Sequence, residues 1–134
     1  VVVRVSLDSN VYSLLFRGHP FVAEIVRRSQ EVVLSAVVIG ELLYGYRHGS
    51  RLARNLRELD DFLANPHVTL VTVSRTTADR YSRIAAALRA KGRPLPTNDI
   101  WIAAHAMETG TELISSDGHF KDVDGLAWVH VPVQ

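Results

Sequence analysis

Cysteine is absent from this 134-residue chain. That excludes disulfides, thiolate metal sites and a cysteine nucleophile. Lysine is scarce: of the 15 basic residues only Lys91 and Lys121 are lysine, the rest arginine. No apolar run approaches the roughly 20 residues needed to span a bilayer. The opening VVVRVSLD is too short for a secretory hydrophobic region, and no small-residue cleavage pattern follows it, so a cytoplasmic protein is expected. No linker, internal repeat or low-complexity tract interrupts the chain, and a single domain over 1–134 is expected. Neither GxxxxGK[ST] nor GxGxxG occurs, which argues against a nucleotide-binding module. The six histidines show no zinc spacing such as HExxH.

What is present is a strong apolar pattern, 47% of the chain, at a net charge of only +1. Strand-like and helix-like segments alternate, which implies an α/β fold with a mainly parallel sheet. Residues 1–7 read as a buried first strand, closed by Asp8-Ser9-Asn10, with a helix over about 10–16. Gly18-His19-Pro20 breaks the chain before a helix over about 20–29. A short strand over 31–34 follows, and Ser35 is placed to cap a helix with the stripe Ile39, Leu42, Leu43 and Tyr46. Residues 50–64 read as a further helix ended by Asn65-Pro66, and 67–73 as a third strand. Thr76 with Asp79 fits a capping box for a helix with stripe Ala78, Tyr81, Ile84, Ala85 and Leu88. After a loop over 92–96, the helix 98–109 is apolar on nearly every side and is expected to be central. Residues 112–116 and 127–131 read as the fourth and fifth strands.

Four carboxylates fall at telling places. Asp8 ends the first strand and Asp117 the fourth. Glu41 lies in the second turn of the helix after the second strand, and Asp99 opens the buried helix before the fourth strand. The carboxyl ends of strands in an open parallel sheet line one rim, where ligands bind. Singly, Asp8 and Asp99 also fit helix caps, and Asp117 before Gly118 fits a turn. Glu41 is harder to dismiss. Its helical neighbours at three and four residues are Val37, Val38, Tyr44 and Gly45, so no local cation serves it. Either an arginine from elsewhere pairs with it, or a shared metal explains all four acids together. Mg²⁺ and Mn²⁺ favour hard oxygen ligands. Phosphodiester hydrolysis needs a nucleophilic water and a stabilised leaving oxygen, and ions held by several carboxylates serve both.

The segments LDSN (7–10), SAVVIGELLYG (35–45), NDIWIAAHAM (98–107) and LISSDGHF (113–120), with RYSRIAAALRAKGRPLPTND (80–99) between them, resemble the PIN domain. The resemblance is closest to the VapC-type toxins of bacterial toxin–antitoxin pairs and covers essentially the whole chain. It implies a parallel sheet of about five strands in order 3-2-1-4-5 flanked by helices. It implies an endoribonuclease dependent on Mg²⁺ or Mn²⁺, inhibited by a cognate antitoxin protein, with a homodimer favoured. Carried over residue by residue, the acidic pocket falls on Asp8, Glu41, Asp99 and Asp117. Asn10 and Ser115 fall on groups that orient carboxylates or water. Two departures stand out. Ser9 replaces the commoner Thr, which keeps a hydroxyl, and His119 stands where many relatives carry another acid, which puts a fifth carboxylate and a second metal site in doubt. Asp122 and Asp124 are expected to be turn residues.

RNA must be held as well as cut. Arg47, Arg51 and Arg54 after the Glu41 helix, and Lys91 and Arg93 before Asp99, are candidates, weighed against ordinary solvated helix faces. Tyr12 and Trp101 could stack a base but fit packing better. His105, in an apolar helix, fits a hydrogen-bonded core residue. Two rival functions remain: a PIN-fold RNA-binding or regulatory module without efficient cleavage, and an acidic-pocket phosphatase or phospho-receiver domain. The latter needs a lysine near its acceptor aspartate.

Overall fold

The computed structural model describes residues 3–132. Its elements run β1 (Arg4–Leu7), α1 (Ser9–Phe16), α2 (Pro20–Arg28), β2 (Glu31–Ser35), α3 (Ala36–His48), α4 (Leu52–Ala64), β3 (Val68–Val71), α5 (Arg75–Lys91), α6 (Thr97–Thr109), β4 (Glu112–Ser115), a 3-10 turn (Gly118–Asp122) and β5 (Trp128–His130). Residues 1 and 2 of the expected first strand lie outside the described residues.

All neighbouring strands pair in parallel, in the order β3-β2-β1-β4-β5. The chain builds outward from β1 through β2 to β3, then returns to the other side of β1 for β4 and β5. The strand order therefore reverses between β1 and β4, and a crevice opens there beyond their carboxyl ends. Register fixes what meets at that crevice. Leu7 pairs with Ile114, so the next residues, Asp8 and Ser115, come side by side.

Val5, Leu7, Val33, Leu34, Leu113 and Ile114 are almost wholly buried, as strands covered on both faces require. Helix α6 lies deep, with Ile102, Ala103, Ala104, His105 and Ala106 hidden, and its alanines let neighbouring elements approach closely. Helix α5 packs on it through Ile84 and Leu88, and Tyr81 stacks on Trp101 with ring centres 4.1 Å apart. Helices α5 and α6 both end on glycines in the left-handed region, Gly92 at φ 68° and Gly110 at φ 66°, a conformation that costs a residue with a Cβ. Among the described residues no helix is long and apolar enough to cross a membrane.

Three local expectations need correction. Helix α5 is capped by Ser74 and Thr77, whose side chains exchange hydrogen bonds with each other's backbone, and not by Thr76 and Asp79. Asp79 instead pairs with Arg83 one turn on. The expected stripe of α3 does face the core, with Leu42 buried and Ile39, Leu43 and Tyr46 half-buried against it, but it is incomplete: Val38 is the second buried residue of the helix. Lys91, a candidate for holding RNA, donates to the Asp122 carbonyl at 2.9 Å and to Asp124 at 2.6 Å. It ties the end of α5 to the segment after the 3-10 turn, and its charge is already matched.

Candidate metal centre

Asp8 follows β1, and its side chain is 95% hidden at a relative exposure of 5%. It caps α1: one carboxylate oxygen accepts from the Ser9 amide at 2.7 Å. The other accepts from the Ser115 hydroxyl at 2.7 Å. Burial raises the Asp8 pKa, the hydrogen bonds from Ser115 and Ser9 pull it back, and the charges of Glu41 and Asp117 push it up again. The Ser115 oxygen also accepts from the Asp117 amide at 3.0 Å. One hydroxyl thus links the ends of β1 and β4.

Asp117 caps the 3-10 turn by accepting from the His119 amide at 2.9 Å, and the same oxygen lies 2.9 Å from the imidazole Nδ1. Glu41 reaches the crevice from α3. It accepts from the Ser9 hydroxyl at 3.1 Å and from the Asn98 side-chain amide at 3.3 Å. Asp99, in the first turn of α6, is half-buried, and among the described residues no side-chain hydrogen bond reaches it. Burial, then the charges of Asp8, Asp117 and Glu41, push its pKa up to about 6, with His119 opposing.

The four acids sense one another across a single crevice, yet among the described residues no arginine or lysine is paired with any of them. An arginine partner for Glu41, one of the two explanations open from the sequence, is therefore not found. Asp99, Asp117 and His119 bring one ligand atom each to within 4.8 Å of one another. Unpaired, mutually repelling oxygen donors are a poor arrangement for the bare protein and a suitable one for a hard divalent cation. The donor set fits Mg²⁺ or Mn²⁺.

Some expected side chains are elsewhere. Asn10 is exposed and makes no side-chain hydrogen bond among the described residues, because its neighbour Ser9 takes the inward position and Asn10 sits about 100° further round the helix. The amide that does touch an acid is Asn98, immediately before Asp99 in the sequence. Tyr12 is buried against Phe16 and Phe62, and Trp101 against Tyr81, so both pack. His105 bridges the Ser35 hydroxyl and the Thr72 carbonyl in the core. Arg47, Arg51, Arg54 and Arg93 are exposed and, among the described residues, form no ion pair. With Lys91 held by Asp124, no lysine is shown against the acids, as a phospho-receiver would need.

Known proteins agree with this architecture. The chain is 28% identical to Ribonuclease VapC2 of Haemophilus influenzae over 120 residues, 87% of this chain and 88% of the relative. It is 27% identical to the tRNA(fMet)-specific endonuclease VapC of Shigella flexneri, over 93% of this chain and 96% of the relative. Its fold superposes on a chain of the VapBC-1 structure from nontypeable Haemophilus influenzae with a TM-score of 0.83 at 25% identity, covering 95% of this chain and 97% of that one. A family model described as PIN domain matches residues 5–126, and the chain belongs to the PIN domain family.

Proposed function

We propose that this chain, acting as one PIN domain over 1–134, is a Mg²⁺- or Mn²⁺-dependent endoribonuclease toxin. The observation that carries the reading is the convergence of Asp8, Glu41, Asp99 and Asp117 at the β1/β4 crevice with, among the described residues, no arginine or lysine paired to any of them. Asp8, Asp99 and Asp117 hold the principal ion in this account, with Glu41 serving a second, weaker ion or orienting water. His119 adds a nitrogen donor beside Asp117, which tilts the site from Mg²⁺ toward Mn²⁺.

When bound, the ion supplies Lewis acidity at phosphorus-bound oxygen and makes an attacking water acidic enough for use near neutral pH. The chain's own residues do the rest. Ser115 keeps Asp8 and the Asp117 loop in register, and Ser9 and Asn98 hold Glu41 facing the crevice. The buried Asp8 cannot turn away without breaking two hydrogen bonds. Cleavage leaves a 5′-phosphate and a 3′-hydroxyl, and no histidine acts as base.

The named relatives are a ribonuclease VapC2 and a tRNA(fMet)-specific endonuclease VapC, the superposed structure is of VapBC-1, and another similar structure is described as a member of the VapBC family of toxin–antitoxin systems. By that likeness we assign this chain a cognate antitoxin and a homodimeric state, with the exposed Tyr44 face of α3 as one available surface. A pull-down from the native host that recovers no small partner would count against the first, and a monomeric mass in sedimentation against the second.

The test of the main reading is cleavage of a mixed RNA pool by the wild type and Asp8→Asn, with Mg²⁺ or Mn²⁺ and with EDTA. Metal-dependent cutting lost in the variant and in EDTA is expected. Undiminished cutting in EDTA, or 2′,3′-cyclic ends, would overturn the reading. A wild type that binds RNA tightly and never cuts it would favour the binding module.

A further inference from the structure

The basic residues divide into two groups. Arg4, Arg27, Arg28, Arg83 and Lys91 are matched by Glu31, Glu24, Glu24, Asp79 and Asp124. Arg17, Arg51 and Arg54 have no such partner among the described residues, and all three line one cleft of about 250 Å³ between α1, α3 and α4. Arg17 follows the end of α1, Arg51 caps the start of α4, and Arg54 lies in its first turn. Glu58 is the one acid in the wall, so the cleft keeps a clear positive excess.

The floor of the cleft carries a second, independent anomaly. Tyr12 and Tyr46 belong to its wall, and their buried phenolic hydroxyls bear on each other and have no partner outside the pair among the described residues. Tyr12 is 99% hidden at a relative exposure of 1%. Burial raises its pKa, and Tyr46 and Glu58 raise it further, so the hydroxyl keeps its proton and remains a donor. A buried donor left unmade costs about 1–3 kcal/mol. One hydroxyl of the pair can donate to the other, which leaves one proton without an acceptor in the wall of a cleft that carries three unmatched guanidinium groups, a combination suited to an anion. Phe16, 40% exposed, stands in the same wall with part of its ring open to a base.

The cleft is built on two of the helices that carry the proposed cutting site, α1 and α3. Asp8 caps α1, and at about 1.5 Å per residue Tyr12 lies about 6 Å further along that helix and Arg17 about 14 Å. Glu41 and Tyr46 are about 8 Å apart along α3 on the same scale.

We propose that this cleft binds a backbone phosphate of the RNA strand, away from the scissile bond, through Arg17, Arg51 and Arg54, with the Tyr12–Tyr46 pair supplying one further donor. The proposal rests on the ribonuclease reading for its ligand. Arginine forks match phosphate oxygens, and the open aromatic ring suits a nucleotide better than a free inorganic ion. A strand held there is positioned across the acids, so the cleft sets how much flanking RNA a substrate must have.

Binding without cleavage tests this. A fluorescent single-stranded oligoribonucleotide is titrated in EDTA at several salt concentrations with the wild type, Arg51→Ala/Arg54→Ala, Tyr12→Phe/Tyr46→Phe, and Arg75→Ala/Arg89→Ala as a charge-matched control on α5. For single strands the slope of log K against log salt changes by about 0.7 per phosphate contact, so loss of this one phosphate in the first pair should lower it by about 0.7. The control should leave the slope near wild type. The phenylalanine pair should weaken binding while the melting temperature stays near wild type, since the one hydrogen bond lost with the pair is offset by removal of a buried donor that has no acceptor. An unchanged slope in Arg51→Ala/Arg54→Ala, or an equal drop in the control, would overturn the cleft while leaving cleavage by the wild type intact. Wild type that neither binds nor cuts RNA would instead overturn the ribonuclease reading and the cleft with it.

Discussion

Two polar regions lie close together in this fold and are built on opposite terms. In the core, His105 sits at 1% exposure, 2.7 Å from the Ser35 hydroxyl and 3.1 Å from the Thr72 carbonyl. Ser35 accepts in turn from the Val37 amide at 3.0 Å. One tautomer, with the proton on Nε2, satisfies every member. At the β1/β4 crevice the acids are the reverse case in charge: they repel one another, and among the described residues no side chain hydrogen-bonds to Asp99. A polar group that serves folding arrives with its partners, whereas one that serves a ligand is left waiting for it. The difference separates the histidine from the aspartates without reference to any relative.

The largest effect that sharpens this comparison is loss of an acid. Asp8→Asn keeps the shape of the side chain, and cleavage should fall by about 10³-fold or more, the scale of losing a transition-state electrostatic contact. Quantitative gels of RNA fragments measure it, and residual cutting above a tenth of wild type would break the contrast. Next comes the satisfied region. His105→Ala leaves Ser35 unpaired beside a cavity and should cost about 3 kcal/mol of stability by urea unfolding. Its metal affinity should stay near wild type, and a parallel loss of both would mean that the two regions are one.

Smaller effects follow at the groups that aim the acids. Asn98→Ala and Ser9→Ala each remove one hydrogen bond to Glu41 and should weaken metal binding or activity by about 10–100-fold, by calorimetry or rate. Asn10→Ala, an exposed residue with no such bond, should change neither. The smallest effect has the least usual sign. The Asp99 pKa is raised in the folded protein, so the native state holds more protons than the unfolded chain. Its contribution is therefore present at low pH and is lost as pH rises from the ordinary carboxylate range through about 6. In EDTA at pH 7, Asp99→Asn should be more stable than wild type by about 1 kcal/mol, since water screens much of the repulsion at this half-exposed site. The gain should vanish at pH 4.

Much of this was legible in the residues. The β-branched run at 1–7 and the short segment at 112–116, each followed by aspartate, mark strand ends at a shared rim, and the apolar helix 98–109 could only be central. Strand order was expected from the resemblance, not from the pattern. The misplaced features are those decided by contacts between distant residues. Lys91 reads as a free cation until Asp124 folds back on it. Serine 35 and His105 are 70 residues apart and look unrelated in the chain. Asn98 was passed over although it adjoins Asp99, and a polar amide opening a helix beside a candidate ligand was the available signal. The α5 cap slipped by two residues because Ser74, Thr76 and Thr77 can all play the part locally, and only the turn geometry chooses among them.

The central claim is that the crevice acids are unstable together until a divalent cation joins them. The most direct measurement is the melting temperature at pH 7 of the wild type and Asp99→Asn, in EDTA and in millimolar Mn²⁺. A ligand that binds only the native state raises its stability. The account predicts that Asp99→Asn melts higher than the wild type in EDTA, and that Mn²⁺ raises the wild type well beyond any change in the variant. A wild type indifferent to Mn²⁺, or a variant that melts lower than the wild type in EDTA, would contradict it.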